Sequence, residues 1–144
     1  MSSIITHSAQ ETIELGKRLA SKLRGGEVIC LYGNLGAGKT TLIKGIAQGL
    51  GVKKIVTSPT FILINVYKVK RQMSNVKCLI HIDCYRIDSA RDIENIGAAE
   101  YFGNPNSVVV IEWPERIKDI LPKKRMEIHI AMKGEGKREI SINF

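Results

Sequence analysis

The chain is 144 residues long, 44% hydrophobic and 25% charged, with a formal net charge of +8. That length holds one domain with a real core, but not a nucleotide domain plus a separate substrate domain. No stretch approaches the ~20 consecutive apolar residues that cross a bilayer, and the opening MSSIITHSAQET has neither the basic start nor the apolar run of an export signal.

Ser8-Ala-Gln-Glu11 reads as a capping box, with Ile13, Leu19, Ala20 and Leu23 at helical spacing behind it and Gly25-Gly26 as the expected stop. EVICLY follows, a short β-rich run ending at Gly33. After a glycine loop comes a helix from about Thr40 to Leu50, closed by Gly51. FILINVYKV at 61–69 and VKCLIHIDC at 76–84 are β-like runs joined by the polar RQMSN, the spacing of an antiparallel hairpin. Ser89-Ala-Arg-Asp92 caps a further helix carrying Ile93 and Ile96. The run SVVVIE at 107–112 has an unbroken apolar centre, as in a central strand buried on both faces. MEIHIAMK and KREISINF alternate around Gly134-Glu135-Gly136 and read as a second hairpin with one solvated face. The expected architecture is a single α/β domain over residues 1–144, with a mixed parallel and antiparallel central sheet flanked by helices.

Cys30, Cys78 and Cys84 show no C-x-x-C spacing. The last two share one β-like run, which holds them roughly 20 Å apart and unable to pair. An odd count at such positions suits a reducing compartment, so a cytoplasmic location is expected. The positive charge is spread over Lys17/Arg18, Lys53/Lys54, Lys68/Lys70/Arg71 and Lys123/Lys124/Arg125. No base-stacking aromatic pattern accompanies it, and solvated faces explain it at least as well as a polyanion-binding surface.

Gly33, Gly38, Lys39 and Thr40 satisfy G-x-x-x-x-G-K-[ST], the pattern of a P-loop NTPase. With glycine near 7% of residues, a chance match in a chain this long has odds of about 0.5%, and a strand before and a helix after lower that further. Glycines let backbone N–H groups curl around phosphate oxygens, and the helix N-terminus adds a favourable dipole. Lys39 is then expected at the β- and γ-phosphates and Thr40 on Mg²⁺. The metal and the attacking water need a carboxylate at the end of a neighbouring strand. Asp83 ends CLIHID and Glu112 ends VVVIE, the latter in the cleaner context because a carboxylate at the tip of a buried strand is costly without a partner.

Other residues leave alternatives open. Thr57-Ser-Pro-Thr60 reads equally as turn chemistry and as the supply of a switch hydroxyl. Trp113 either stacks on a base or, the default for a lone tryptophan, packs beneath Pro114. His81, inside a strand, is expected to be structural. Arg86 is placed either to contact phosphate or to pair with Asp83.

Absences narrow the class. N-K-x-D and L-S-G-G-Q are missing, Arg86 stands where a D-x-x-G switch needs glycine, and no arginine-rich lid insertion is visible. Elimination leaves adenine as the expected base. The ordered set LYGNLGAGKTT, TSPTF, HIDCYR, GAAEYF and VIEWPE resembles the TsaE (formerly YjeE) family, small ATPases of bacterial tRNA threonylcarbamoyladenosine synthesis. The resemblance covers nearly the whole chain, with no departure from the motif set. It implies an ATP site of Asn34, Leu35, Gly36, Ala37, Gly38, Lys39, Thr40, Thr41 and Trp113, with Mg²⁺ on Thr40 and Glu112. It makes Lys39, Asp83 and Glu112 catalytic, with Glu112 in the Walker B role, and Thr60 a switch-like residue near the γ-phosphate. It also implies work beside a TsaD–TsaB pair that carries out the transfer to tRNA, the ATP cycle resetting that pair between turnovers. The tRNA then enters indirectly, and direct contact with the basic clusters stays open.

Size points the same way. A chain this short has little room for lid, acceptor pocket and charge-neutralising finger together, so unaided hydrolysis is expected to be slow. An arginine supplied by another protein is worth roughly 10³–10⁵ in rate in related systems. A nucleotide-regulated binding module and a small kinase are the competing readings.

Overall fold

The computed structural model describes residues 2–57, 64–70 and 75–144. Its strands are β1 (Ser2–Thr6), β2 (Val28–Tyr32), β3 (Ile64–Lys68), β4 (Cys78–Asp83), β5 (Ser107–Glu112), β6 (Met126–Gly134) and β7 (Lys137–Asn143). Its helices are α1 (Ala9–Ala20), α2 (Lys39–Leu50) and α3 (Ala90–Asn95), with short 3₁₀ segments at Ala98–Tyr101 and Pro114–Ile120. All seven strands form one sheet in the order β1-β7-β6-β2-β5-β4-β3. The four inner strands β6, β2, β5 and β4 run parallel, and the antiparallel pairings lie towards the two edges.

Burial along β5 explains the layering. All six of its residues are buried, and the two-residue strand period sends Val108 and Val110 to one face and Val109 and Ile111 to the other. The first face packs on α1 and α2 with Leu19, Leu31, Ile43, Ile46 and Ile128. The second packs on α3 and the 3₁₀ segments with Cys30, Ile80, Ile93 and Ile117. Helices α1 and α2 meet backbone to backbone, since a Cβ at Gly16 would stand 2.6 Å from Leu42 O and one at Gly45 would overlap the Ile13 main chain.

The Ser8 cap forms, and Glu11 reaches back to the residue before Ser8. Ser8 Oγ accepts from Glu11 N at 3.1 Å, while Glu11 Oε1 accepts from His7 N at 3.2 Å. The helix does not run to Gly25-Gly26, however. It ends at Ala20 because the chain tightens into Lys22 N→Leu19 O and Leu23 N→Ala20 O bonds, which turn Leu23 into the core. The glycine pair lies instead in the connection to β2, where Gly26 N donates to Ser107 O at 2.7 Å.

Both hairpins are present, the first in register from Ile64↔Ile82 to Lys68↔Cys78, the second from Glu127↔Asn143 to Met132↔Arg138 with a register shift before Gly134↔Lys137. Residues 61–63 of the first run and 71–74 of its turn lie outside the described residues. The helix beginning after Ser89 has only six residues, so Ile93 is buried while Ile96 becomes its C-cap and stands 45% exposed. Strand β1 had no counterpart in the sequence reading. Its five residues are too few to show a period, and its pairing with β7 is a long-range contact. All three cysteines are free, and burial pushes the Cys30 and Cys84 thiols up to about 12. Among the described residues no helix is long and apolar enough to cross a membrane.

Candidate functional site

Strand β2 runs straight into the loop 33–38, and α2 begins at Lys39. Ala37 N closes the loop on Asn34 O at 3.1 Å, and Gly38, at φ 106°, is the N-cap of α2. The two long helices differ at their starts. Helix α1 is capped by Ser8 and carries Glu11 in its first turn, whereas no side chain caps α2 and no acid lies in its first turn. An uncapped helix start behind a glycine loop is a set of N–H donors facing an anion position.

The strand period brings the acids to the same place. Leu79 lies on the α2 face of β4, so His81 and Asp83 share that face, and Glu112 follows Val108 and Val110 there on β5. Asp83 and Glu112 are register partners at the carboxyl ends of adjacent parallel strands. The Lys39 side chain is buried. Its ammonium donates to Gly33 O at 2.6 Å and lies 3.8 Å from the centre of the Trp113 ring. Burial lowers the Lys39 pKa, with the Glu112, Asp83 and Glu115 carboxylates pulling it back up. Burial raises that of Asp83; the Tyr85 N–H at 3.0 Å opposes the rise, Glu112 adds to it, and His81 and Lys39 oppose it.

His81 does more than fill the core. It is fully buried, and its Nε2 lies 2.7 Å from Glu112 Oε2. Its Nδ1 has no partner among the described residues. An N–H on Nε2 donates to the carboxylate, which ties the ring to Glu112. The signal was in the sequence: His81 and Asp83 are two residues apart on one strand face.

Trp113 is the single non-glycine residue with positive φ among those described, at φ 58° and ψ 47°. A bulky residue held there stores strain on the order of 1–3 kcal/mol. It packs on the second core layer, with its ring 5.0 Å from that of Tyr85, and carries the Lys39 ammonium on its face. The contact with Lys39 was not foreseen. Arg86 is exposed and makes no ion pair with Asp83, because Asp83 turns its Oδ1 to the Tyr85 N–H instead. Thr60 lies outside the described residues. Thr57, three positions earlier, is tied to β3: the Tyr67 hydroxyl donates to Thr57 O at 3.2 Å and Asn65 Nδ2 does so at 3.2 Å.

The family model "Threonylcarbamoyl adenosine biosynthesis protein TsaE" matches residues 6–140. The chain belongs to the TsaE family. It is 40% identical over 136 residues to the tRNA threonylcarbamoyladenosine biosynthesis protein TsaE of Bacillus subtilis (strain 168), covering 94% of this chain and 81% of that one. The protein of the same name from Treponema pallidum (strain Nichols) is also 40% identical, over 139 residues, covering 96% and 97% respectively. A crystal structure titled Bacillus subtilus YdiB superposes with a TM-score of 0.80 at 35% identity, covering 98% of this chain and 83% of that one.

In this TsaE chain the family match spans the loop 33–41, His81, Asp83, Glu112 and Trp113 together. A convergent set of N–H donors, one buried ammonium and two adjoining carboxylates can hold a polyphosphate with a divalent cation and position a water.

Proposed function

We propose that this TsaE is a Mg²⁺-dependent ATPase of tRNA threonylcarbamoyladenosine biosynthesis, working with a TsaD–TsaB pair and resetting it between turnovers. The observation that carries the reading is the register pairing of Asp83 with Glu112 beside Lys39 at the uncapped start of α2. Asn34 to Thr41 would wrap the phosphates with their N–H groups, and Lys39 would neutralise the β- and γ-oxygens. That reading gives a reason for the ammonium's burial, since a desolvated cation with incomplete compensation gains most from an incoming anion.

One hydroxyl and one carboxylate, Thr40 at the start of α2 and Glu112 at the end of β5, fit magnesium, which retains waters and phosphate oxygens and takes only one or two protein ligands. Thr40 and Glu112 would hold it. Once bound, Mg²⁺ supplies charge neutralisation across the β- and γ-phosphates. Glu112, fixed by His81, and Asp83 would orient the water attacking the γ-phosphorus.

The test is ATP turnover by the purified chain, alone and with TsaD–TsaB from the same source. Slow turnover alone with clear acceleration by the pair supports the proposal. Equal rates in both conditions remove the partner coupling, and transfer of labelled γ-phosphate to anything but water replaces the ATPase with a kinase.

A further inference from the structure

The C-terminal hairpin reaches into the glycine loop. Arg138 on β7 precedes Ile140 and Ile142 by even steps, so it faces the α2 side of the sheet. Its partner across the ladder is Met132, beyond the point where β2 ends opposite β6 with Tyr32↔His129. From there Arg138 Nε donates to Ala37 O at 2.9 Å, across 101 positions of sequence, and Nη1 donates to Gly136 O at 3.5 Å. The side chain lies flat on Gly38, where a Cβ would stand 2.7 Å from Arg138 Cδ and 3.3 Å from Cζ. Among the described residues no carboxylate pairs with this arginine.

Ala37 O and the Gly38 N–H belong to one planar trans peptide and point in opposite directions. An arginine that holds the carbonyl therefore aims the N–H away from itself. Gly38, at φ 106°, sits at a position where glycine alone changes hand freely, so this peptide is able to flip. A loop that binds phosphate through successive N–H groups loses a donor when one peptide reverses.

We propose that Arg138 is a positioning residue that locks the Ala37–Gly38 peptide in its phosphate-receiving orientation. The C-terminal hairpin thereby sets the affinity of the loop for nucleotide. The inference rests on the ATP reading of the loop, so the experiment carries one readout with nucleotide and one without.

The variants are Arg138→Met, which keeps the stem and removes the donors, and Arg138→Lys, which keeps the charge and loses the fork. The nucleotide-free readout is the Gly38 amide resonance in ¹⁵N-labelled protein; the other is the dissociation constant for Mg·ATP. Both substitutions should move the Gly38 amide while leaving resonances of β4 and β5 in place. Both should weaken ATP binding about tenfold, the worth of one charge-assisted hydrogen bond. An unmoved Gly38 amide overturns the clamp. Full ATP affinity in Arg138→Met also overturns it, because the loop would then bind nucleotide with no donor on Ala37 O. A wild-type chain that ignores ATP while its Gly38 amide still responds to Arg138→Met would sink the nucleotide reading and leave the clamp standing.

Discussion

Glu112 separates chemistry from architecture when it is replaced in two ways. It is 4% exposed, and its Oε2 stands 2.7 Å from the buried His81 Nε2. Glu112→Gln keeps the shape and, through the amide oxygen, the acceptor that His81 needs. Only the charge goes, so stability should stay within about 1 kcal/mol of wild type. The loop and α2 keep their N–H donors, and Lys39 loses one carboxylate neighbour but keeps Asp83, so Mg·ATP should still bind. Hydrolysis should fall by roughly 10²–10⁴, the usual worth of a positioned acid or base. Glu112→Ala differs: it strands a buried imidazole N–H, which alone costs about 1–3 kcal/mol, and it leaves a cavity besides. Single-turnover phosphate release at saturating Mg·ATP, with a calorimetric binding constant and a melting curve for each variant, reads all three quantities. A Glu112→Gln protein hydrolysing within about threefold of wild type refutes the role given to the carboxylate.

Asp83→Asn should stabilise the nucleotide-free protein at neutral pH. Burial raises the folded pKa of Asp83 above 3.8, so in that window the folded state holds more protons than the unfolded one and wild-type stability falls as pH rises. Thermal melts across pH should show the variant's advantage vanish in acid; an advantage independent of pH contradicts the burial argument. Gly45→Ala should lose stability despite a helix-propensity gain of about 1 kcal/mol. Its Cβ overlaps the Ile13 backbone, and overpacking against main chain costs about 1–3 kcal/mol or more. A raised denaturation midpoint would show that α1 and α2 separate at no cost.

The glycine loop, the helix behind it and the doubly buried strand 107–112 were legible because each is written in contiguous residues. Asp83 and Glu112 were legible as strand ends, but their pairing needed the register of two parallel strands 29 positions apart. His81 was read as structural, and it is buried as such, but its bond to Glu112 was not legible because the partner lies 31 positions away. The end of α1 was misplaced since Gly25-Gly26 look like a stop, while tightened hydrogen bonds had already ended the helix. Arg138 was invisible: an arginine in an alternating hairpin reads as solvated, and only the fold carries β7 beneath residues 37 and 38. The switch-like reading of Thr60 rests on sequence resemblance alone.

Calorimetric titration of Mg·ATP into the wild-type chain and Lys39→Ala tests the central claim most directly. Lys39 is 5% exposed, its ammonium bonded to Gly33 O over the Trp113 ring and felt by the Glu112 and Asp83 carboxylates. Removing one partner of a buried, hydrogen-bonded charge pair costs about 2–5 kcal/mol of binding, or roughly thirtyfold or more in affinity. Wild type should therefore bind one Mg·ATP, and Lys39→Ala should bind it at least that much more weakly while remaining folded. A wild-type chain that takes up no ATP, or a variant that binds it equally well, would contradict the assignment of the Gly33–Thr40 loop as the triphosphate site.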